Sequence, residues 1–169
     1  QTTGAATLHI QGSGANTWYT AVSGTADTTI PWVQAMTLDT SGNLGVGGTP
    51  SAWQAGNKII DVGTVSTFGV NAGNASLIVG HNLYLSSAGN WTYKTTAGAS
   101  LYTQLAGAHT WFNAPSGTAG TTATLNTAMT LDASGNLGIG TTSPVSNGRT
   151  LTISNSGTSN ASLYLQNSV

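Results

Sequence analysis

The sequence predicts an all-β chain of short strands and hairpins. Three observations carry this. Apolar residues alternate with small or polar ones, turn formers interrupt the chain every six to ten residues, and Thr is the commonest residue type. Of 169 residues, 29 are Thr, 23 Gly, 21 Ala, 18 Ser and 14 Asn. Branching at Cβ favours extended backbone for Thr, whereas Gly, Asn and Ser supply turns. No stretch offers three helical turns at a 3.6-residue period. The single candidate helical turn is 51–56, following Pro50.

An internal repeat orders the elements. Residues 15–49 align without a gap to residues 108–142, at an offset of 93, with 22 identities in 35 positions. A shorter element recurs as AATLHI at 5–10, NASLIV at 74–79 and NASLYL at 160–165. The expected organisation is therefore a shortened first unit over 1–50, a connecting segment over 51–71, a second unit over 72–144, and the start of a third over 145–169. Within each unit, Met36 and Leu38 alternate ahead of Leu44 and Val46, as Met129 and Leu131 do ahead of Leu137 and Ile139. Between each pair lies an Asp-x-Ser-Gly-Asn stretch. Its Asp accepts local N–H bonds and its Gly supplies a positive φ, which is a hairpin signal. Further strands are expected at 77–79, 83–85, 91–93, 151–153 and 163–165.

Composition narrows the function. There are four Asp, no Glu, and three Lys and Arg together, for a net charge of −1. Charged residues are 4% of the chain, against about 25% in an ordinary soluble domain. Such a surface does not neutralise nucleic-acid phosphates. Cysteine is absent, so no disulfide framework or thiolate metal site exists. No apolar run approaches the ~18 residues of a membrane-spanning helix. The first residue is Gln1, with no initiator Met and no signal pattern, so a processed product or excised fragment is expected. Leu, Ile, Val and Phe total only 32. A core that thin gains burial by being shared with further copies of the chain.

Few residues offer chemistry. Asp39 and Asp132 occupy equivalent turn positions and are expected to form turns. Asp27 aligns with Gly120, and Asp61 sits in an apolar run with no evident partner. No carboxylate pair of the kind glycosidases use is visible. His9, His81 and His109 lie in no metal-ligand spacing, although identical chains could gather copies of one His around an axis. One Asp without Glu is not a calcium loop. No catalytic residue, metal or cofactor is expected. Asn74, Asn90 and Asn160 stand in formal glycosylation sequons, as expected by chance in this composition. Trp18-Tyr19 and Trp111-Phe112 repeat and belong to the architecture. Trp91, Tyr93 and Trp53 are unmatched, and rings among Asn, Ser and Thr suit sugars, so these three are the glycan-binding candidates.

The stretches AMTLDTSGNLGVGGTP (35–50) and AMTLDASGNLGIGTTSP (128–144) resemble a "TLDxxGNxGIGTTSP" element of bacteriophage tail fibres. In that family the element often lies ahead of an endosialidase-type intramolecular chaperone. The resemblance implies an intertwined homotrimer, of the triple β-helix or β-prism kind, in a virion tail fibre outside the cell. Its implied partners are further copies of itself, other tail proteins, and a host surface glycan or protein receptor, with no membrane insertion. Gly47-Gly-Thr-Pro50 departs from the Gly-Thr-Thr-Ser-Pro form, and the chaperone is not among the 169 residues. Met36, Leu38, Leu44, Val46, Met129, Leu131, Leu137 and Ile139 are the residues expected in the shared interior. Two rival readings are a tailspike-like depolymerase and a non-phage adhesin or β-solenoid. The first calls for a long parallel β-helix and a carboxylate pair, which 169 residues with four Asp fit poorly, and the second lacks a regular Thr-x-Thr ladder, since Thr122–Thr124 and Thr150–Thr152 are isolated.

Overall fold

The computed structural model describes residues 4–146 and 148–154. Those residues form fourteen strands and no helix. Strands β1 (Ala6–Gly12) and β2 (Ala15–Ala21) make a hairpin whose loop residues Ser13 and Gly14 have φ of 51° and 78°. Two left-handed residues give the mirror-image turn that matches strand twist. Antiparallel β3 (Val33–Leu38) and β4 (Leu44–Val46) follow. Next, β5 (Lys58–Val62) lies parallel to β4, and β6 (Ser66–Asn71) and β7 (Ser76–His81) continue antiparallel. The chain then leaves the sheet for a separate hairpin, β8 (Leu83–Leu85) and β9 (Trp91–Tyr93). It returns with β10 (Ala97–Leu105) against β7, then β11 (Ala108–Gly117), β12 (Asn126–Leu131) and β13 (Leu137–Ile139). Finally β14 (Leu151–Ile153) runs parallel to β13. Twelve strands thus form one sheet in chain order, interrupted only by the β8–β9 excursion.

The repeat is a repeat of register. Trp18 pairs with Met36 and Trp111 with Met129, and in both units the next pair slips by one residue, leaving Ala35 and Ala128 at a bulge. Met36 pairs with Val46, and Met129 with Ile139. Loop residues Ala106 and Gly107 repeat the left-handed turn of Ser13 and Gly14. The strand standing where AATLHI stands is therefore β10, at the same offset of 93. This corrects the pairing of AATLHI with NASLIV. NASLIV falls on the β6–β7 turn and β7, and NASLYL lies outside the described residues.

The Asp-x-Ser-Gly-Asn stretch acts as expected and does more. Asp39 Oδ1 accepts the amides of Ser41 and Asn43, each at 2.8 Å, while Asn43 Nδ2 donates to Asp39 Oδ2. Asp132 holds Ser134 and Asn136 identically. Each Asn carbonyl then reaches across the junction: Asn43 Oδ1 accepts from Ile59 N, and Asn136 Oδ1 from Thr150 N. The turn therefore also fixes the parallel neighbour, which has no hairpin to set its register. Close approach explains the following Gly. A Cβ on Gly45 would lie 2.2 Å from the Gly48 carbonyl oxygen, and one on Gly138 2.9 Å from that of Thr141.

Residues 51–56 are not helical, contrary to expectation. Ser51 N donates to the Asp61 carboxylate and Gln54 N to Leu85 O, so neither amide is free for a helical turn. The segment instead lies over the sheet.

The two faces differ sharply. Paired side chains on neighbouring strands share a face. One row runs Leu38, Leu44, Ile60, Phe68, Val79, Tyr102, Trp111, Met129, Ile139 and Ile153 across ten strands. This face is open: Phe68 is 50% exposed, and Leu38, Val46, Ile60 and Val79 are exposed too. On the opposite face lie Thr37, Ile59, Asp61, Thr67, Ile78 and Leu101, all buried. Residues 50–57 and the β8–β9 hairpin cover it, and Trp53, Leu83, Leu85 and Tyr93 complete the core.

Asn136→Ala should lower stability by about 1–3 kcal/mol, because Thr150 N and the Asp132 carboxylate lose a buried partner. Urea unfolding of the variant against the parent measures this.

Candidate functional site

A polar knot anchors the covered face. Asp61, in the middle of β5, points into it because its neighbours Ile60 and Val62 take the open face. Its Oδ2 accepts from Ser51 N at 2.8 Å and Trp53 Nε1 at 3.0 Å; its Oδ1 accepts from Thr67 Oγ1 at 2.8 Å and Lys94 Nζ at 2.7 Å. Lys94 also donates to Thr67 Oγ1 and sits 5.5 Å from the Trp53 ring centroid. Burial pushes the Asp61 carboxyl up, but Lys94, Ser51 and Trp53 outweigh it and hold it below the ordinary range. Burial draws Lys94 down, with Asp61 opposing only part of the shift. Asp61 thus has a partner 33 residues away that the sequence did not reveal.

Asn82 is the second anchor. It is fully buried with φ of 61°. Its Nδ2 faces the carbonyls of Thr95, Ala97 and Gly98, and its Oδ1 accepts from Thr95 N and Oγ1. One side chain therefore ties the exit of β7 to the entry of β10 and directs the chain into the β8–β9 excursion.

These anchors decide the fate of the glycan candidates. Trp53 is 7% exposed, with its indole N–H spent on Asp61. Tyr93 is 4% exposed, donates to Pro115 O at 2.7 Å, and lies flat against Gly117. Neither presents a ring face to a ligand, so both are corrected to core residues. Trp91 is half-buried and stands edge-on to Trp53 at 6.4 Å. It lines a cleft of about 370 Å³ with Phe112, Leu125, Asn71 and Asn74. Asn71 and Asn74 use their carbonyl oxygens within the β6–β7 turn. Phe112 was assigned to the architecture by its repeat; its pairing with Leu101 also puts it on the cleft side.

All eight residues expected in a shared interior fall on the open face. Aromatic stacks decorate the same face: His9 on Trp18 at 4.7 Å, and the group Tyr102, His109 and Trp111. Asp39 and Asp132 are occupied by their turns, and hydrogen bonds from Asn136 hold Asp132 below the ordinary carboxyl range. Among the described residues, no three His, Asp or Glu side chains gather as metal ligands. Compared with known proteins, the chain matches no family model and no curated sequence.

Lys94→Met should cost about 3–5 kcal/mol, since it strands a buried carboxylate, and adding Asp61→Asn should restore part of that loss. Urea titrations of the single and double variants decide the matter. Acid gives a second check. With the folded carboxyl of Asp61 below its unfolded value, the contribution is complete above the ordinary carboxyl range and disappears as pH falls through the lowered value. The parent's unfolding midpoint should therefore fall on acidification, and less steeply in the double variant.

Proposed function

We propose that this chain is a structural and adhesive segment of a homotrimeric phage tail fibre, which carries or spaces a host-receptor contact. One observation supports this most: a row of apolar side chains crosses ten strands on a face left open among the described residues. An open apolar sheet face of that length invites association. Three copies that turn this face inward would bury it and leave the covered face outward. The resemblance of residues 35–50 and 128–144 to tail-fibre elements points the same way. The intertwined triple β-helix or β-prism form, the virion location and the contact with other tail proteins belong to this proposal. The receptor contact falls to the outward cleft at Trp91, with a host glycan as its ligand.

The native mass of the chain tests the assembly. A particle of three times 16.9 kDa is expected, and a monomer would overturn the reading. Phe68→Asp should dissociate the trimer while the polar knot keeps each chain folded, as followed by analytical ultracentrifugation and circular dichroism. Trp91→Ala should reduce binding of the trimer to host cells by about tenfold or more; unchanged adsorption would remove Trp91 from the contact.

A further inference from the structure

The two units differ in how the loop after their second strand is closed, and the second unit explains the first. In the second unit the loop after β11 is closed by β9. Tyr93 N donates to Thr121 O at 3.1 Å, Gly120 N to Tyr93 O at 2.9 Å, and Ala123 N to Trp91 O at 2.8 Å. The Tyr93 ring rests on Gly117, where an added Cβ would lie 2.2 Å from it.

The first unit carries the same loop. Ser23-Gly-Thr-Ala26 and Thr28-Thr29 repeat Ser116–Ala119 and Thr121-Thr122. Its inner turn is the same: Thr28 N and Oγ1 both meet Thr25 O, as Thr121 N and Oγ1 meet Thr118 O. Asp27 takes a φ of 64°, matching 79° at Gly120. Here, however, Asp27 N, Thr28 O and Ile30 N have no backbone partner among the described residues. Among the described residues, only Thr28 Oγ1, at 3.9 Å, approaches the Cβ position of Gly24. A cavity of about 400 Å³ opens there, lined by Ala6, Val22, Gly24 and Ile30. Val22 is 78% exposed and Ile30 46%.

We infer that this loop is a seat for a second β-hairpin of the β8–β9 kind, supplied in cis through the register of the repeat. The occupant presents a Trp-Thr-Tyr strand to the amides of Asp27 and Ile30 and lays its Tyr on Gly24. The sequence fits that register, because Thr2, Thr3 and Ala6 match Thr95, Thr96 and Ala99 at the offset of 93. Tyr93 then corresponds to the position immediately before Gln1. This inference goes beyond the fibre reading and does not depend on trimer formation.

The test joins the sequence of residues 82–93 directly ahead of Gln1 in the full chain. Amide exchange at Asp27 and Ile30 should slow by about tenfold or more, and the fused segment should itself become protected. Gly24→Ala should abolish this protection in the fused chain, yet leave exchange and melting of the unfused chain unchanged, since its Cβ meets nothing closer than an ordinary contact with Thr28 Oγ1. A fusion in which the Trp and Tyr are replaced by Ser should give no protection. Unprotected Asp27 and Ile30 in the fused chain, or protection indifferent to Gly24→Ala, would overturn the inference. Native mass of the same samples reports the trimer separately.

Discussion

Buried asparagine side chains hold the backbone wherever the sheet departs from simple hairpins. Asn43, Asn57, Asn82 and Asn136 are each at most 2% exposed, and each accepts or donates a bond to main chain from a distant segment. Asn suits this task because one planar group carries both a double acceptor and two donors. At the parallel junctions it replaces the register information that a short turn gives an antiparallel pair. At the β8–β9 excursion it replaces a whole strand partner. A chain with seven charges and a thin apolar core thus gains its precision from neutral amides, whose burial costs less than burial of ions once their bonds are made.

That arrangement seals one face only. Beneath the sheet, Asp61 and Lys94 are satisfied by five donor–acceptor contacts, including Thr67 and Trp53. Above it, the regular alternation along β5 and β6 sends Ile60, Val62, Phe68 and Val70 to the other side, where the described residues supply no cover. The proposed trimer follows from this asymmetry, and so does the assignment of the receptor contact to the sealed face, at the one candidate ring left accessible.

Much of this was legible in the sequence, and the rest was hidden for physical reasons. The hairpin at Asp132–Asn136 and the common face of Met129, Leu131, Leu137 and Ile139 follow from turn chemistry and a period of two, both local. The departure of β8 and β9 from the main sheet was not legible, because Leu83-Tyr-Leu85 and Trp91-Thr-Tyr93 alternate like any other strand. What diverts them is the left-handed backbone of Asn82 and its contacts to residues 95–98. Nor could local pattern tell Trp91 from Trp53. Both are rings among small polar neighbours, and only the position of Asp61 decides that one lies beneath the other. The ion pair to Lys94 spans 33 residues and leaves no trace in spacing.

Each strand of the large sheet is hydrogen-bonded only to the strands before and after it in the sheet's chain order, and the junction from β13 to β14 repeats the one from β4 to β5. The fold therefore has no closure condition. A further unit can be added or lost at such a junction without creating a kind of contact the chain does not already make. Length becomes a matter of copy number, and exchange between the matching stretches would lengthen or shorten the protein in whole steps of one unit.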